Sequence, residues 1–322
     1  MSNAKLLITC SHLLRHIDRY RPMMTQAGFD LSTPTLINQQ FDSNEMATLM
    51  QGHDIAILGD DEVPEFVLAR AAPKLKAIIR WGIGTDNVDL NAARRLNIDV
   101  INTPGQFSNE VADLALGLLL AVARRISITD KAVRDGYWPR FEGKSLTGQT
   151  AGIIGFGGIG SAIAKRALAF GMNIIGFDPY FSDAQETTAL VSLEKLASSS
   201  DVVFVACNLA NENRHLIDDD FFERMQPSSI LVNVARGPLV KETALIKALS
   251  SGQIAGAGLD VFEIEPLAKN HALSLFDNVV LGAHGGSSTS QSIQRVNELT
   301  LDIAKSLHRA DYTLDRSMSL CN

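Results

Sequence analysis

The chain has 322 residues, of which 46% are apolar and 20% charged, with 24 Gly, 10 Pro and 3 Cys. That balance excludes disordered, collagen-like and disulfide-scaffold proteins, and the length favours two domains over one core. Lys plus Arg total 29 against 36 for Asp plus Glu, and the net charge of −7 argues against nucleic acid or an anionic membrane as the main partner.

In chain order, short apolar runs predict strands at 5–10, 35–38, 54–59, 75–80 and 99–102, with helices at 44–51, 64–71 and 89–96 between them. Strands separated by helices imply βαβ units and a parallel sheet. Thr103-Pro104-Gly105 breaks the pattern before a long helix from about residue 108. Its apolar stretch, 114–123, is ten residues long, short of the about 20 that cross a bilayer, so a buried helix is expected. A second series predicts strands at 150–155, 173–178, 201–207, 229–235, 254–261 and 278–283, and a final helix over 288–307 that could return to the first domain. The expected domains are 1–103 with 289–322, and 104–288. The apolar stretch 6–9 is too short for a signal-peptide core, and Cys10, Cys207 and Cys321 lack metal-ligand spacing. A cytoplasmic protein without a bound metal is expected.

Gly155-Phe156-Gly157-Gly158-Ile159-Gly160 is a G-x-G-x-x-G loop. A predicted strand precedes it and an Ala-rich helix, 161–170, follows. The next strand ends at Asp178, 18 residues after Gly160. Gly155 permits the tight turn, Gly157 lets backbone approach a pyrophosphate, and Gly160 packs helix on strand. The helix N-terminus faces the phosphate charge. Asp178 is suited to the adenosine ribose hydroxyls and would repel a 2′-phosphate, so NAD is expected over NADP.

Arg236, Glu265 and His284 each follow a predicted strand of the second series. The carboxyl ends of parallel strands share one edge, so these three can meet there. Together they suit redox chemistry on a 2-hydroxy acid. Arg236 would grip a carboxylate or keto oxygen, His284 would exchange the hydroxyl proton, and Glu265 would orient the imidazole.

With that set in place, the segments 234–240, 256–263, Glu265-Pro266 and 284–289 closely resemble the D-isomer-specific 2-hydroxyacid dehydrogenase family. The resemblance runs from about residue 75 to 295. It implies two doubly wound α/β domains, a Rossmann-type NAD domain inserted into a flavodoxin-like substrate domain, and a homodimer. It implies Arg236 as substrate anchor, His284 as acid/base and Glu265 as its partner. It places Gly158, Ile159 and Ala235 against the cofactor, and Asp260 near the nicotinamide carboxamide. Residues 80–89 look most like the phosphoglycerate dehydrogenase branch. That likeness implies that the amides of Ile83 and Gly84 hold the substrate carboxylate and that Arg80 can pair with a phosphate.

Several positions depart from the family pattern. Ala283 and Gly285 flank His284 where the family usually has Pro and an apolar residue, which suggests a looser loop. Gly158 stands where many relatives have Arg. Asp60, Asp61 and Glu62 stand where phosphoglycerate enzymes carry Arg, which is unfavourable for a dianionic phosphate. The sequence runs only to Asn322, without the C-terminal regulatory domain that many such enzymes append, so serine feedback of that type is not expected. The alternative is a glyoxylate or hydroxypyruvate reductase. A formate oxidase is disfavoured by Glu265 in place of Gln, and a corepressor-type binding protein lacks support from any recruitment tail.

His12 and His16, four residues apart, read as an exposed helical pair. His53, His215, His271 and His308 have no evident partners in sequence. Cys207 reads as a packed small residue and Trp138 as core or interface.

Overall fold

The computed structural model describes residues 3–37, 40–180, 188–309 and 321. Two compact units emerge, residues 1–106 with 289–322, and residues 107–288.

In the first unit the strands are β1 (Ala4–Ile8), β2 (Phe29–Ser32), β3 (Ile55–Leu58), β4 (Ala77–Arg80) and β5 (Asp99–Ile101). They pair in parallel in the order β2-β1-β3-β4-β5, the flavodoxin-like doubly wound order. Every residue of β3 and β4 is buried, as a sheet covered on both faces requires. The helix Ser290–His308 packs within this unit, where Trp81 Nε1 donates to Asn297 Oδ1 at 2.8 Å.

Two expectations for this unit are corrected. The second strand is Phe29–Ser32, not 35–38. Gly28, at φ +90, turns the chain out of the helix Ile17–Gln26 and delivers Phe29 opposite Ala4. Phe29 is buried, whereas Ile37 is 90% exposed, so tertiary pairing overrode the more β-prone run; Asn38 lies outside the described residues. His12 and His16 do not share a helix face. The helix Ser11–Leu14 ends before the helix Ile17–Gln26 begins, and the His12 ring stacks on Trp81 with centroids 4.6 Å apart.

In the second unit the strands are β6 (Thr150–Ile154), β7 (Asn173–Phe177), β8 (Thr188–Leu190), β9 (Val202–Val205), β10 (Ile230–Asn233), β11 (Gly256–Leu259) and β12 (Val279–Leu281). The order β12-β11-β10-β9-β6-β7-β8 is wholly parallel among the described residues. Counted within the unit it reads 3-2-1-4-5-6-7, the Rossmann order with one strand added. Strand β8, three residues long, was not legible in the sequence. The apolar helix Ser108–Ala123 buries eight residues within this unit. No helix among the described residues is long and apolar enough to cross a membrane. Trp138 is 79% exposed, so it is not a core residue of this unit.

Candidate active site

Register decides which residues meet in the second unit. Phe177, Ile154, Val205, Asn233, Leu259 and Leu281 pair across six neighbouring strands in one row. Asp178, Gly155, Arg236, Asp260 and His284 therefore leave the sheet from one edge. The order reverses between β6 and β9, the switch point where open α/β sheets bind ligands.

The glycine loop crosses that switch point. Gly155 has φ +92, and a Cβ there would lie 2.6 Å from the Cys207 backbone at the end of β9. A Cβ on Gly160 would lie 1.9 Å from the Gly155 carbonyl oxygen, so only glycine lets the helix Gly158–Ala169 start so close to the turn. A Cβ on Gly157 would meet nothing within 4 Å, and no side chain caps this helix. Open space over an uncapped helix N-terminus is the cradle that a pyrophosphate fills. The residues present fit NAD. Gly158 and Ile159 begin the helix, and a Cβ on Gly158 would lie 2.6 Å from Ser108 Oγ. The position that is Arg in many relatives is thus occupied here by glycine against a serine hydroxyl.

Asp178 ends β7 beside this loop. Its carboxylate accepts from the Phe156 amide at 2.8 Å and the Tyr180 amide at 2.9 Å, so it braces the loop. Burial pushes the Cys207 thiol up to about 11.

Arg236 follows β10. Its Nη1 donates to the Ala235 carbonyl at 2.9 Å, and its own carbonyl accepts from Asn233 Nδ2 at 3.0 Å. Asn233 Oδ1 also accepts from the Ala235 amide at 3.1 Å. One buried asparagine thus shapes the turn that aims the guanidinium.

Glu265 and His284 are brought together by two loops. His284 Nδ1 lies 2.7 Å from Glu265 Oε2, and Glu265 Oε1 accepts from the Phe262 amide at 2.9 Å. His284 adopts φ +52, a left-handed conformation that costs energy for a side chain with a Cβ. Asp260 enforces it. Its carbonyl accepts from the His284 amide at 2.7 Å, and its carboxylate accepts from the Gly285 and Gly286 amides, both at 2.9 Å. The two glycine amides that follow His284 are thus both engaged by the Asp260 carboxylate. Asp260 is 2% exposed, and burial raises its carboxyl above the usual Asp range while those two amides and His284 pull it back.

In the first unit, Arg80 ends β4 with its side chain 5% exposed. Its guanidinium donates to the Asp60 carboxylate, to the Trp81 carbonyl at 2.6 Å and to Asn87 Oδ1 at 3.3 Å. Asp61 turns inward, accepting from Thr9 Oγ1 at 2.6 Å and the Phe41 amide at 2.9 Å. The loop of Ile83 and Gly84 is held at its root. Asn102 Nδ2 donates to the Ile83 carbonyl at 2.7 Å, the Gly82 amide donates to Thr103 Oγ1 at 3.0 Å, and the Thr103 amide donates to the Gly82 carbonyl at 3.0 Å.

The histidines without evident partners all find one. His53 Nε2 lies 2.7 Å from Ser32 Oγ, and His308 stacks on Phe29 with centroids 4.9 Å apart. His215 and His271 approach Glu263 and Glu242, at 3.3 and 3.2 Å. These contacts join segments far apart in sequence, and no spacing rule points to them.

Residues 116–286 match the family model of the D-isomer specific 2-hydroxyacid dehydrogenase NAD binding domain. The chain is 38% identical to a hydroxypyruvate reductase of Thermotoga maritima, over 84% of this chain and 90% of that protein. It is 43% identical to a glyoxylate reductase of Thermococcus litoralis, over 79% of this chain and 78% of that protein. Among solved structures, a glyoxylate reductase from Paecilomyes thermophila aligns with a TM-score of 0.85 at 26% identity, covering 98% of both chains. The D-lactate dehydrogenase of Escherichia coli aligns with a TM-score of 0.81 at 29% identity, covering 96% of this chain and 98% of that one. With its glycine cradle, its strand orders and these relatives, the chain belongs to the D-isomer specific 2-hydroxyacid dehydrogenase family, the NAD-dependent oxidoreductases that act on CH–OH donors.

Proposed function

We propose that this oxidoreductase works on a small unphosphorylated 2-keto acid of the glyoxylate or hydroxypyruvate class. The observation that carries this choice is the Arg80 guanidinium, buried and engaged with Asp60, Trp81 and Asn87. Drawing it onto a phosphate would expose Asp60 to a dianion and forfeit three internal bonds. The similarity to a hydroxypyruvate reductase and a glyoxylate reductase supports this choice.

NAD, when bound, supplies or accepts the hydride. The chain's residues do the rest. Arg236 would hold the substrate carboxylate or keto oxygen through its planar fork. The amides of Ile83 and Gly84 would hold the carboxylate. His284 commits Nδ1 to Glu265, so Nε2 is the atom that gives a proton to the developing alkoxide and takes it back in the reverse direction. Glu265 stabilises the charged imidazole. Gly155, Gly157, Gly158, Ile159, Gly160, Asp178 and Ala235 would form the cofactor cradle, and Asp260 serves it by fixing the loop 284–286.

The test is steady-state NADH oxidation with glyoxylate, hydroxypyruvate and 3-phosphohydroxypyruvate. The unphosphorylated acids are expected to win by at least about tenfold in kcat/KM, a difference of about 1.4 kcal/mol. Arg80→Ala is expected to change KM for all substrates by a similar factor. Preference for the phosphorylated acid, with a KM for it that alone rises in Arg80→Ala, would instead favour the phosphoglycerate dehydrogenase-like reading that residues 80–89 resemble.

A homodimer is the reading that the helix Ile126–Arg134 supports, since it has no buried residue while Ile126, Tyr137 and Trp138 are 52%, 71% and 79% exposed. Light scattering of the wild type and of Trp138→Glu checks it. The cysteines Cys10, Cys207 and Cys321 fit a reducing cytoplasm, which cell fractionation tests.

A further inference from the structure

We propose that Glu242 and Glu263 form a reciprocal clasp that holds the loop of Glu265 against the loop of Arg236, and so act as positioning residues for the hydride-transfer site. The proposal rests on the catalytic reading of His284 and Glu265 given above.

Three observations carry it, all in the second unit. First, the two glutamates exchange bonds: Glu263 Oε1 accepts from the Glu242 amide at 2.8 Å, and Glu242 Oε1 accepts from the Glu263 amide at 2.6 Å. Glu242 opens the helix Glu242–Ser250 that follows the Arg236 turn, and Glu263 lies two residues before Glu265. Second, the same two loops touch through backbone. A Cβ on Gly237 would lie 1.8 Å from the Phe262 carbonyl carbon, so any slip between the loops moves Phe262, whose amide holds Glu265 Oε1. Third, two histidines stand beside the clasp. His271 Nε2 stands 3.2 Å from Glu242 Oε2, and His215 Nε2 stands 3.3 Å from Glu263 Oε1 while its amide donates to the Pro238 carbonyl at 2.8 Å.

Energetics favour a positioning role. The carboxylates are 14% and 26% exposed, and placing two like charges in a partly dry site is costly. Apolar packing would fasten two loops more cheaply. What carboxylates add is direction, because an acceptor bonded to a backbone amide fixes the loop's register as well as its distance. A shift of about 1 Å in a reacting group can cost as much as about 10²-fold in rate.

The experiment uses the full chain, with NADH binding by fluorescence and steady-state kinetics on whichever keto acid the wild type turns over best. Glu242→Ala is expected to lower kcat by about tenfold or more with NADH affinity retained. Glu242→Gln keeps a carbonyl acceptor for the Glu263 amide and should recover kcat to within about threefold of wild type. Added to Glu265→Gln, Glu242→Ala should cost no more than about twofold further, since residues acting through one group are not additive. Should Glu242→Ala fail to fold, Glu242→Asp carries the test, keeping the charge while shortening the reach. A kcat near wild type in Glu242→Ala or Glu242→Asp, equal losses in Glu242→Ala and Glu242→Gln, or full additivity with Glu265→Gln would each overturn the clasp. Near-normal kcat in both His284→Ala and Glu265→Gln would instead bring down the underlying catalytic reading.

Discussion

His284 and Glu265 stand 19 residues apart in sequence and 2.7 Å apart in space, Nδ1 to Oε2. Glu265 spends its other oxygen on the Phe262 amide, and the His284 backbone hangs from Asp260. Both partners are thus fixed from behind, which leaves the ring oriented before any substrate arrives.

That arrangement predicts a loss of kcat by roughly 10²–10⁴ in His284→Ala, the contribution of a positioned acid/base. NADH should bind as in the wild type, because the ring takes no part in the glycine cradle. Glu265→Gln should lose about tenfold or more, since a neutral amide no longer stabilises a charged imidazole. Stopped-flow and steady-state assays check both. An unchanged kcat for His284→Ala would remove it from the mechanism.

The glycine loop separates two kinds of damage. Gly160→Ala places a methyl 1.9 Å from the Gly155 carbonyl, and should lower stability by about 1–3 kcal/mol through overpacking. Gly157→Ala meets no atom within 4 Å, so its melting temperature should match the wild type. Its NADH affinity should fall, because the methyl enters the space a pyrophosphate occupies. Calorimetry with NADH titration reads both quantities. A Gly157→Ala protein that binds NADH normally would move the pyrophosphate elsewhere.

Asp178→Ala should weaken NADH and narrow the preference over NADPH, by removing a ribose acceptor and a charge that repels a 2′-phosphate. It also strips the Phe156 amide of its acceptor, so binding of both cofactors should suffer from a less ordered loop. Asp178→Asn retains an acceptor oxygen and should separate the two effects. The ratio of kcat/KM values for NADH and NADPH is the measurement, and a wild type that prefers NADPH would refute the assignment.

Burial pushes the Cys10 thiol up to about 12 and that of Cys207 up to about 11. At pH 8 the Cys207 thiolate is then present at about one part in a thousand, since each pH unit below the pKa is a factor of ten. Both thiols should resist maleimide in the native protein at pH 8 and react in denaturant, and labelling of Cys207 should rise steeply toward pH 11. Mass spectrometry of labelled peptides checks this; native labelling of Cys207 at the denatured rate would contradict it.

The sequence by itself determined the parts whose physics is local. Aliphatic runs between amphipathic helices were enough for two parallel α/β sheets, because periodicity and burial follow from neighbours a few residues apart. The glycine spacing before an Ala-rich helix and the Asp at the end of the next strand were enough for the cofactor cradle, since a tight turn and a helix start impose those residues at that distance. That Arg236 and His284 leave the sheet at one edge was legible, because parallel strands deliver their ends together.

Only the tertiary structure decided what those ends do with their side chains. It paired Phe29 with Ala4 where the run at 35–38 looked more β-prone, and it added the three-residue strand β8. It turned Asp61 inward onto Thr9 and the Phe41 amide and set Asp60 on the buried Arg80 guanidinium, a choice the sequence left open. It also brought His215 and His271 within 3.3 and 3.2 Å of the clasp carboxylates. The physical reason is common to all of these. Each is a contact between loops distant in the chain, selected by the desolvation cost of leaving a buried polar group unpaired, and that cost is defined only once the fold has fixed what is buried.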